Sequence, residues 1–471
     1  MQHILIIIQE IFMTPALIMG GVTLIGLLLQ KKPADQVIRG TATAVVGFVL
    51  LTAGSDFLQS GALREFGVLF NYDFHIQGVV PNMEAVSSLG IRFYAMEVST
   101  MMFLGMIANL ILARFGRFPY IFLTGHHILY MACLLAVVFH QGNMESWQIV
   151  VAGSLILGLF MTCMPAMAQP FMRGITKGDK IALGHFSTLG YITAGKVAEL
   201  VTRRMDREKI RSTEEIRFPS KLSFMRDSTV ELFLLMTGMF LILCRIAVFR
   251  TDLSLLDLSY RSGEYGHWIT YAVIQGAKFA AGIYMILAGV RLVVAEIVPA
   301  FKGIAKKLVP HAKPAVDCPI LFSYAPNAVM IGFFMSFLGG ITTMLVIMQL
   351  NLWSRNLALP VIVPGVVAHF FCGGSAGVFA NSKGGVRGCI AGSYVQGILI
   401  SVLSLLVMPV LGTLNLSGTC FSDADFCAVG IVFGHLTTRF TGGQMLGFCL
   451  CCFLLPIVFR IFRKKPAVEI P

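Results

Sequence analysis

Eleven apolar runs, most of them near the roughly 20 residues that a helix needs to cross a hydrocarbon core about 30 Å thick, dominate this chain. They fall near 11–29, 44–58, 93–113, 119–139, 148–172, 230–249, 268–298, 328–350, 358–380, 389–414 and 443–463. With 56% hydrophobic and 13% charged residues over 471 positions, the chain holds more apolar sequence than a water-soluble core of its size would use. Backbone polar groups in lipid must be satisfied within the segment, and the runs are too long for barrel strands, so the spans are helices. The fold class read here is an all-α polytopic membrane bundle of about eleven transmembrane helices.

An odd number of crossings puts the termini on opposite sides, and basic residues concentrate in cytoplasmic loops. With the N-terminus outside, the inner connections hold 27 of the 36 Lys and Arg, the outer connections six, and three (Arg245, Lys278, Arg291) lie within spans. The pattern predicts a periplasmic N-terminus and a cytoplasmic C-terminus. The net charge of +12 follows from the same bias. It reads as topology and contact with anionic lipid, and nucleic acid is excluded as a partner. Met1 to Glu10 lack a basic n-region and a small-residue cleavage site, so this start is expected to be a retained, partly interfacial segment.

The inner segment 173–226 joins two kinds of sequence. "IALGHFSTLGYITAGKVAELV" (181–201) predicts a helix or hairpin that does not cross fully, and the charged stretch 202–227 predicts a solvated linker. That linker serves either to fix orientation or to dock a soluble partner. Nine of the eleven cysteines lie in or beside spans and act as small hydrophobes; Cys420 and Cys427 share an expected outer loop, where a bridge is open to an oxidising compartment. No Cys/His spacing predicts a metal site, and no cofactor is expected.

Breaks in the apolar runs point to a site. In "CPILFSYAPNAV" (318–329), Pro326 removes a backbone donor, with Asn327 placed to cap the helix that follows. In "LPVIVPGVVAHFFCGGSAGVFAN" (359–381), Pro360, Pro364 and the Gly373-Gly374 pair predict an interrupted or re-entrant span. Transporters use such discontinuities to present helix ends and free backbone groups to a solute near the bilayer centre. His126 lies inside an apolar run, where an ionisable side chain costs free energy, and Gly184-His185 repeats the Gly-His pair.

At these residues the chain resembles the ascorbate-specific IIC permeases of the bacterial phosphotransferase system. The matching stretches are "GFVLLTAGS" (47–55), "LTGHH" (123–127), "LGH" (183–185), "GVRLVVAEIVPAFKGIAKKLVP" (289–310), "DCPILFSYAPNAV" (317–329) and "GVFAN" (377–381), in order and at similar separations. The resemblance implies a homodimer in the bacterial inner membrane. Each subunit would have a substrate-binding core and a scaffold of V-shaped helices interleaved along the chain, the core moving in elevator fashion. It implies that separate IIA and IIB proteins supply and transfer the phosphoryl group, with no IIA or IIB domain fused within 1–471. The chain is then a permease and not itself an enzyme.

The resemblance carries a substrate pocket only where residues match. His126 and His185 fall on the family's two pocket histidines and Asp317 on its aspartate, all suited to a small polyhydroxylated ligand. Tyr130 and Phe186 stand where the family has glutamines, and Met83-Glu84 aligns with its Thr-Tyr pair. Ascorbate travels as an anion, which Glu84 would disfavour by like-charge repulsion. The substrate implied is therefore ascorbate or a related sugar acid, lactone or polyol. Each residue also has a plainer reading: a membrane histidine bonding a neighbouring helix, Asp317 a helix cap, and His127 turned away from His126 by about 100°. Arg291 and Glu296 read as packing or interfacial anchors. A proton-coupled secondary transporter would use His126, His185 and Asp317 as a relay, and remains the alternative. No nucleophile-base pair or nucleotide loop supports a membrane enzyme.

Overall fold

The apolar runs fold into helices whose ends are set by prolines, glycines and short strands. The computed structural model describes residues 15–75, 78–206, 210–216, 228–262, 265–309, 311–354, 358–412, 414 and 418–461. The reading of residues 1–10 lies outside them, as do 207–209 and 217–227 of the linker. Helix α1 spans Pro15–Leu29 and α2 Ala34–Leu58, followed through a π turn at Gln59–Leu63 by α3, Arg64–Phe74. Next come α4 (Met83–Phe115), α5 (Gly125–Gln141), α6 (Ser146–Thr176) and α7 (Thr188–Thr202). The remainder are α8 (Ser228–Val248), α9 (Trp268–Leu308), α10 (Pro326–Trp353), α11 (Gly374–Val407), α12 (Ala424–Thr437) and α13 (Gly442–Ile461).

Among the described residues, seven helical segments are long and apolar enough to cross a membrane: 34–74, 83–115, 146–176, 268–286, 326–353, 366–410 and 442–461. The chain is a multi-pass membrane protein. The runs at 358–380 and 389–414 share the single stretch Val366–Val410, whose backbone leaves helical geometry at Gly385 (φ 54°). Helices α3 and α12 are too short or too polar to register as apolar spans, while α7 is the short helix expected within 181–201.

Two small parallel sheets sit among the helices. One has the order β5-β1-β6, from Val361–Ile362, Gly78–Pro81 and Thr419–Cys420; the other has the order β2-β4-β3, from Tyr120–Phe122, Lys313–Val316 and Ala182–Leu183. Strand edges inside a membrane protein leave backbone groups unpaired, and side-chain amides cover two of them here. On β2, the Asn109 amide of α4 donates to the Tyr120 carbonyl (3.0 Å) and accepts from the Phe122 N–H (3.1 Å). Just before β5, Asn351 of α10 does the same to Leu359, at 2.8 and 2.9 Å.

The helices pack in two groups, α7 with α11 and α10 on one side, and α1, α2, α9 and α8 on the other. Helix α4 lies against both α5 and α6. Two expectations are corrected here and a third is narrowed. Asn327 does not cap α10: the Glu214 carboxylate accepts the N–H groups of Asn327 and Ala328, both at 3.1 Å, while the Asn327 amide donates to the carbonyls of Thr213 and Ile216. The middle part of the linker is solvated but not loose: residues 210–216 are largely exposed, yet strapped onto the start of α10 and onto Gly385 of α11, where Val386 N–H donates to the Arg211 carbonyl (2.9 Å). Cys420 and Cys427 are buried free thiols in β6 and α12 rather than members of an outer loop.

Candidate functional site

All six strands point their carboxyl ends at one place. After β2 the chain runs through Thr124 and Gly125 to His126; after β3 through Gly184 to His185; after β4 directly to Asp317. From the second sheet, β1 leads to Asn82, Met83 and Glu84, β6 to Ser422 and Asp423, and β5 to Val367 and Ala368. Ligands commonly bind beyond the carboxyl ends of parallel strands, where backbone groups and helix N-termini converge. Two glycines make the crossings close enough. A Cβ on Gly184 would lie 2.6 Å from the Ala315 carbonyl oxygen of β4, and one on Gly365 would lie 2.1 Å from that of Pro81 on β1. The space between the sheets is a cavity of about 180 Å³, sized for a small solute.

His185 is the centre of the arrangement. Its Nδ1 is 2.9 Å from Asp317 Oδ1 and its Nε2 is 3.3 Å from Asp423 Oδ2. Ionised carboxylates only accept hydrogen bonds, so both contacts are satisfied when the ring carries both protons. Asp317 also meets His126, with Nε2 3.3 Å from its Oδ2, and accepts the Cys318 N–H at 2.7 Å. The cap reading of Asp317 is not met: the short helix Pro319–Phe322 has Cys318 at its N-cap and no side-chain cap, and the backbone N–H that the Asp317 carboxylate accepts is that of its immediate neighbour. Four groups on different stretches of chain are tied through two carboxylates.

The loops carrying these groups are fixed from behind. The buried Asp425 carboxylate accepts the N–H groups of Thr188 (2.9 Å) and Leu189 (2.8 Å), capping α7 from a residue far along the chain. Asp425 N–H donates to the Phe186 carbonyl (3.3 Å), and the Thr124 hydroxyl donates to that of Gly184. At the far end of the β2-β4-β3 sheet, Asp179 accepts from Arg173 and Gln169, each at 2.9 Å, and from Lys313. The Arg173 side chain foremost, then Lys313 and Gln169, holds the Asp179 carboxyl well below the usual carboxylate range.

Of the six residues singled out from sequence, Glu84, His126, Tyr130, His185 and Asp317 line the cavity together. Phe186 does not line it; the ring is fully buried, stacked on Phe122 (4.6 Å between centroids) with its edge to Phe426, and forms the wall behind. His127 is corrected from a residue turned away to one that lines the cavity, with its ring centroid 3.9 Å from that of His185. At the first turn of α5 the two imidazoles flank the same opening, so divergence along a helix did not separate them. Arg291, read as a packing or interfacial anchor, is likewise a lining residue and exposed; the side chain of Glu296 lies outside what is described. Asp423 went unnoticed in the sequence because its only signal is a strand and a helix too short to stand out.

Groups that would suit a metal ion are present, although spacing predicted none. The ligand atoms of His126, His127 and Asp317, of His127, His185 and Asp423, and of His185, Asp317 and Cys318 lie within 4.8 Å of one another. The contacts of His185 with its two carboxylates satisfy these groups through protons alone, and the arrangement is equally suited to accept and donate hydrogen bonds to hydroxyls.

The frame has a testable dependence on Asn109. Asn109→Ala leaves the Tyr120 carbonyl and the Phe122 N–H of β2 without these partners in a buried setting, at a cost of about 1–3 kcal/mol for each. The expected result is a clearly lower melting temperature of the purified protein and loss of solute uptake, since β2 delivers His126. A variant that melts with the wild type would show that the amide does not hold the strand.

Comparison with known proteins agrees with this picture. The family described as "PTS system sugar-specific permease component" matches residues 10–425. The ascorbate-specific PTS system EIIC component of Mycoplasma pneumoniae is 25% identical over 435 residues, covering 84% of this chain and 65% of the relative. The chain therefore spans a little under two thirds of the length of that curated relative.

Proposed function

The chain belongs to the sugar-specific permease components of the phosphotransferase system, and from that premise we propose that it binds and translocates ascorbate or a related sugar acid, lactone or polyol. The observation that carries this reading is the convergence of Glu84, His126, Tyr130, His185 and Asp317 on one small cavity at the carboxyl ends of six strands. Imidazoles and a tyrosine hydroxyl can both donate and accept, and carboxylates accept hydroxyl protons, so the lining matches a solute rich in hydroxyls. Hydrocarbon faces of such a solute meet Val367, Phe371 and Pro319.

Transport follows by movement of the part that holds the cavity. In this reading α7, α10 and α11 with the two sheets form a substrate-binding core, and α1, α2, α8 and α9 form the scaffold, through which two subunits pair in the bacterial inner membrane with the N-terminus periplasmic. The core slides past the scaffold, and on the cytoplasmic side a separate IIB protein, charged through IIA, phosphorylates the solute. The permease itself orients the solute and excludes water from it, while the phosphoryl chemistry belongs to IIB.

Uptake in cells or proteoliposomes with and without the soluble phosphoryl carriers tests this. Accumulated solute is expected to be phosphorylated, and uptake is expected to vanish when the donor is removed and to survive a protonophore. Uptake that continues without the donor and collapses with the proton gradient would overturn the reading in favour of proton-coupled transport.

A further inference from the structure

The polar lining of the cavity is not self-sufficient. Glu84 and Tyr130 are 6% and 2% exposed, and both line the cavity. Glu84 Oε2 and the Tyr130 hydroxyl oxygen are each buried with no hydrogen-bond partner. Among the described lining residues, they alone carry such atoms. A buried polar group without a partner costs about 1–3 kcal/mol, and native proteins rarely leave one so unless something else fills the role. Here two stand on different sheets' exits, Glu84 at the start of α4 after β1 and Tyr130 one turn into α5 after β2, within electrostatic reach of each other.

Their chemistry is complementary to a single kind of group. A carboxylate oxygen accepts, and a phenol O–H donates as well as accepts. A solute hydroxyl placed between them would give its proton to Glu84 and take the one from Tyr130, satisfying both at once. An enolate or carboxylate oxygen has no proton to give, and would set a negative charge beside a buried carboxylate. The surrounding charge points the same way. Glu84, Asp317 and Asp423 are three carboxylates, against the Arg291 guanidinium and the His185 ring held between two of them. An anionic solute would add negative charge among these carboxyl groups in a space of low dielectric, whereas a neutral polyol adds none.

We propose that Glu84 and Tyr130 form a hydroxyl-reading subsite that selects an uncharged polyol or sugar lactone and rejects the ascorbate anion. This rests on the transport reading above and narrows its substrate class. It makes Glu84 the determinant of selectivity in this chain. Tyr130 is its partner, and supplies the donor that Glu84 lacks.

L-Gulono-1,4-lactone and ascorbate form a matched pair of probes, because both carry the same five-membered lactone ring and side chain and only the latter has the acidic enediol. Binding to the full chain in lipid nanodiscs would be titrated calorimetrically with these two and with galactitol, sorbitol and xylitol. At least one neutral probe is expected to bind the wild type about tenfold or more tightly than ascorbate, a difference of about 1.4 kcal/mol. Glu84→Gln, which keeps shape and removes the charge, is expected to move that ratio toward ascorbate by about tenfold. Tyr130→Phe is expected to weaken the neutral probe by about three- to tenfold, the worth of one hydrogen bond, and to leave the charge selectivity in place.

Three outcomes would overturn the proposal: ascorbate binding the wild type as tightly as the neutral probes, no neutral probe binding, or a folded Glu84→Gln protein with an unchanged ratio, in which case the two groups hold only water. Should Glu84→Gln fail to fold, the wild-type ratio and Tyr130→Phe still decide. Failure here is distinct from failure of the transport reading. That one falls if uptake ignores the phosphoryl donor, whichever solute is carried.

Discussion

Asp317→Ala is expected to abolish transport, lowering solute uptake by about a hundredfold at equal membrane expression. Among the described residues Asp317 is the one carboxylate that meets both His126 and His185, and it stands directly after β4. Removing one partner of a buried charged pair costs about 3–5 kcal/mol; Asp317 is about one-third exposed, so solvent screening brings the expected loss nearer to about 2–3 kcal/mol, or 30- to 150-fold. Asp317→Asn tests the charge separately from the shape. It can still accept from one imidazole but repels the second donor with its amide, so an intermediate loss is expected. Uptake by Asp317→Ala within about threefold of wild type would show that the two imidazoles are held without it and that the site lies elsewhere.

The second large effect concerns the packing that carries the site. Helices α10 and α11 approach backbone to backbone. A Cβ on Gly397 would lie 2.0 Å from the Ser336 carbonyl oxygen, one on Gly377 2.2 Å from that of Ala328, and one on Gly339 2.3 Å from that of Tyr394. Lipid tails are as apolar as the helices they surround, so association in a membrane depends on such close van der Waals contact between small residues. Gly397→Val forces the helices apart along a buried seam and is expected to cost more than about 3 kcal/mol, seen as loss of a monodisperse, folded species on size exclusion. Gly447→Ala in α13 is the control. A Cβ there meets nothing within 4 Å, and the change is expected to be neutral or to raise the melting temperature slightly, because alanine favours helix by about 1 kcal/mol over glycine. If both variants melt alike, glycine at 397 reflects helix flexibility and not close approach.

The same contrast explains what could be read without coordinates. The membrane class and most helices were legible because hydrophobicity over about 20 residues is a local property, and lipid allows only one way to satisfy the backbone inside it. Interruptions at Pro326 and Pro364 were legible for the same reason, since a missing donor acts on its own segment, whereas at Gly373-Gly374 the helix continues through a π turn and the break falls at Gly385. His126 stood out as an ionisable group inside an apolar run, His185 as the second Gly-His pair, and Asp317 through the resemblance. Their neighbours were harder. The rotation of about 100° between His126 and His127 is bridged by their side chains, whose ring centroids lie 4.7 Å apart at the cavity, and nothing local to Arg291 signals that it lines the same space.

What only the tertiary structure decided is everything that depends on pairing between distant segments. Strands of two to four residues carry almost no sequence signal, and their meaning comes from parallel partners up to more than 300 residues away, as when Val80 and Pro81 pair with Thr419 and Cys420. Those pairings brought Asp423 beside His185, made Asp425 the cap of α7, and turned Cys420 and Cys427 from candidates for a bridge into buried thiols. They also made Glu214, not Asn327, the cap of α10. The sequence by itself determined which segments enter the membrane, because that depends on the transfer free energy of each segment alone. The contents of the cavity depend on which backbone ends the hydrogen-bonded sheets bring together, and no single segment contains that information.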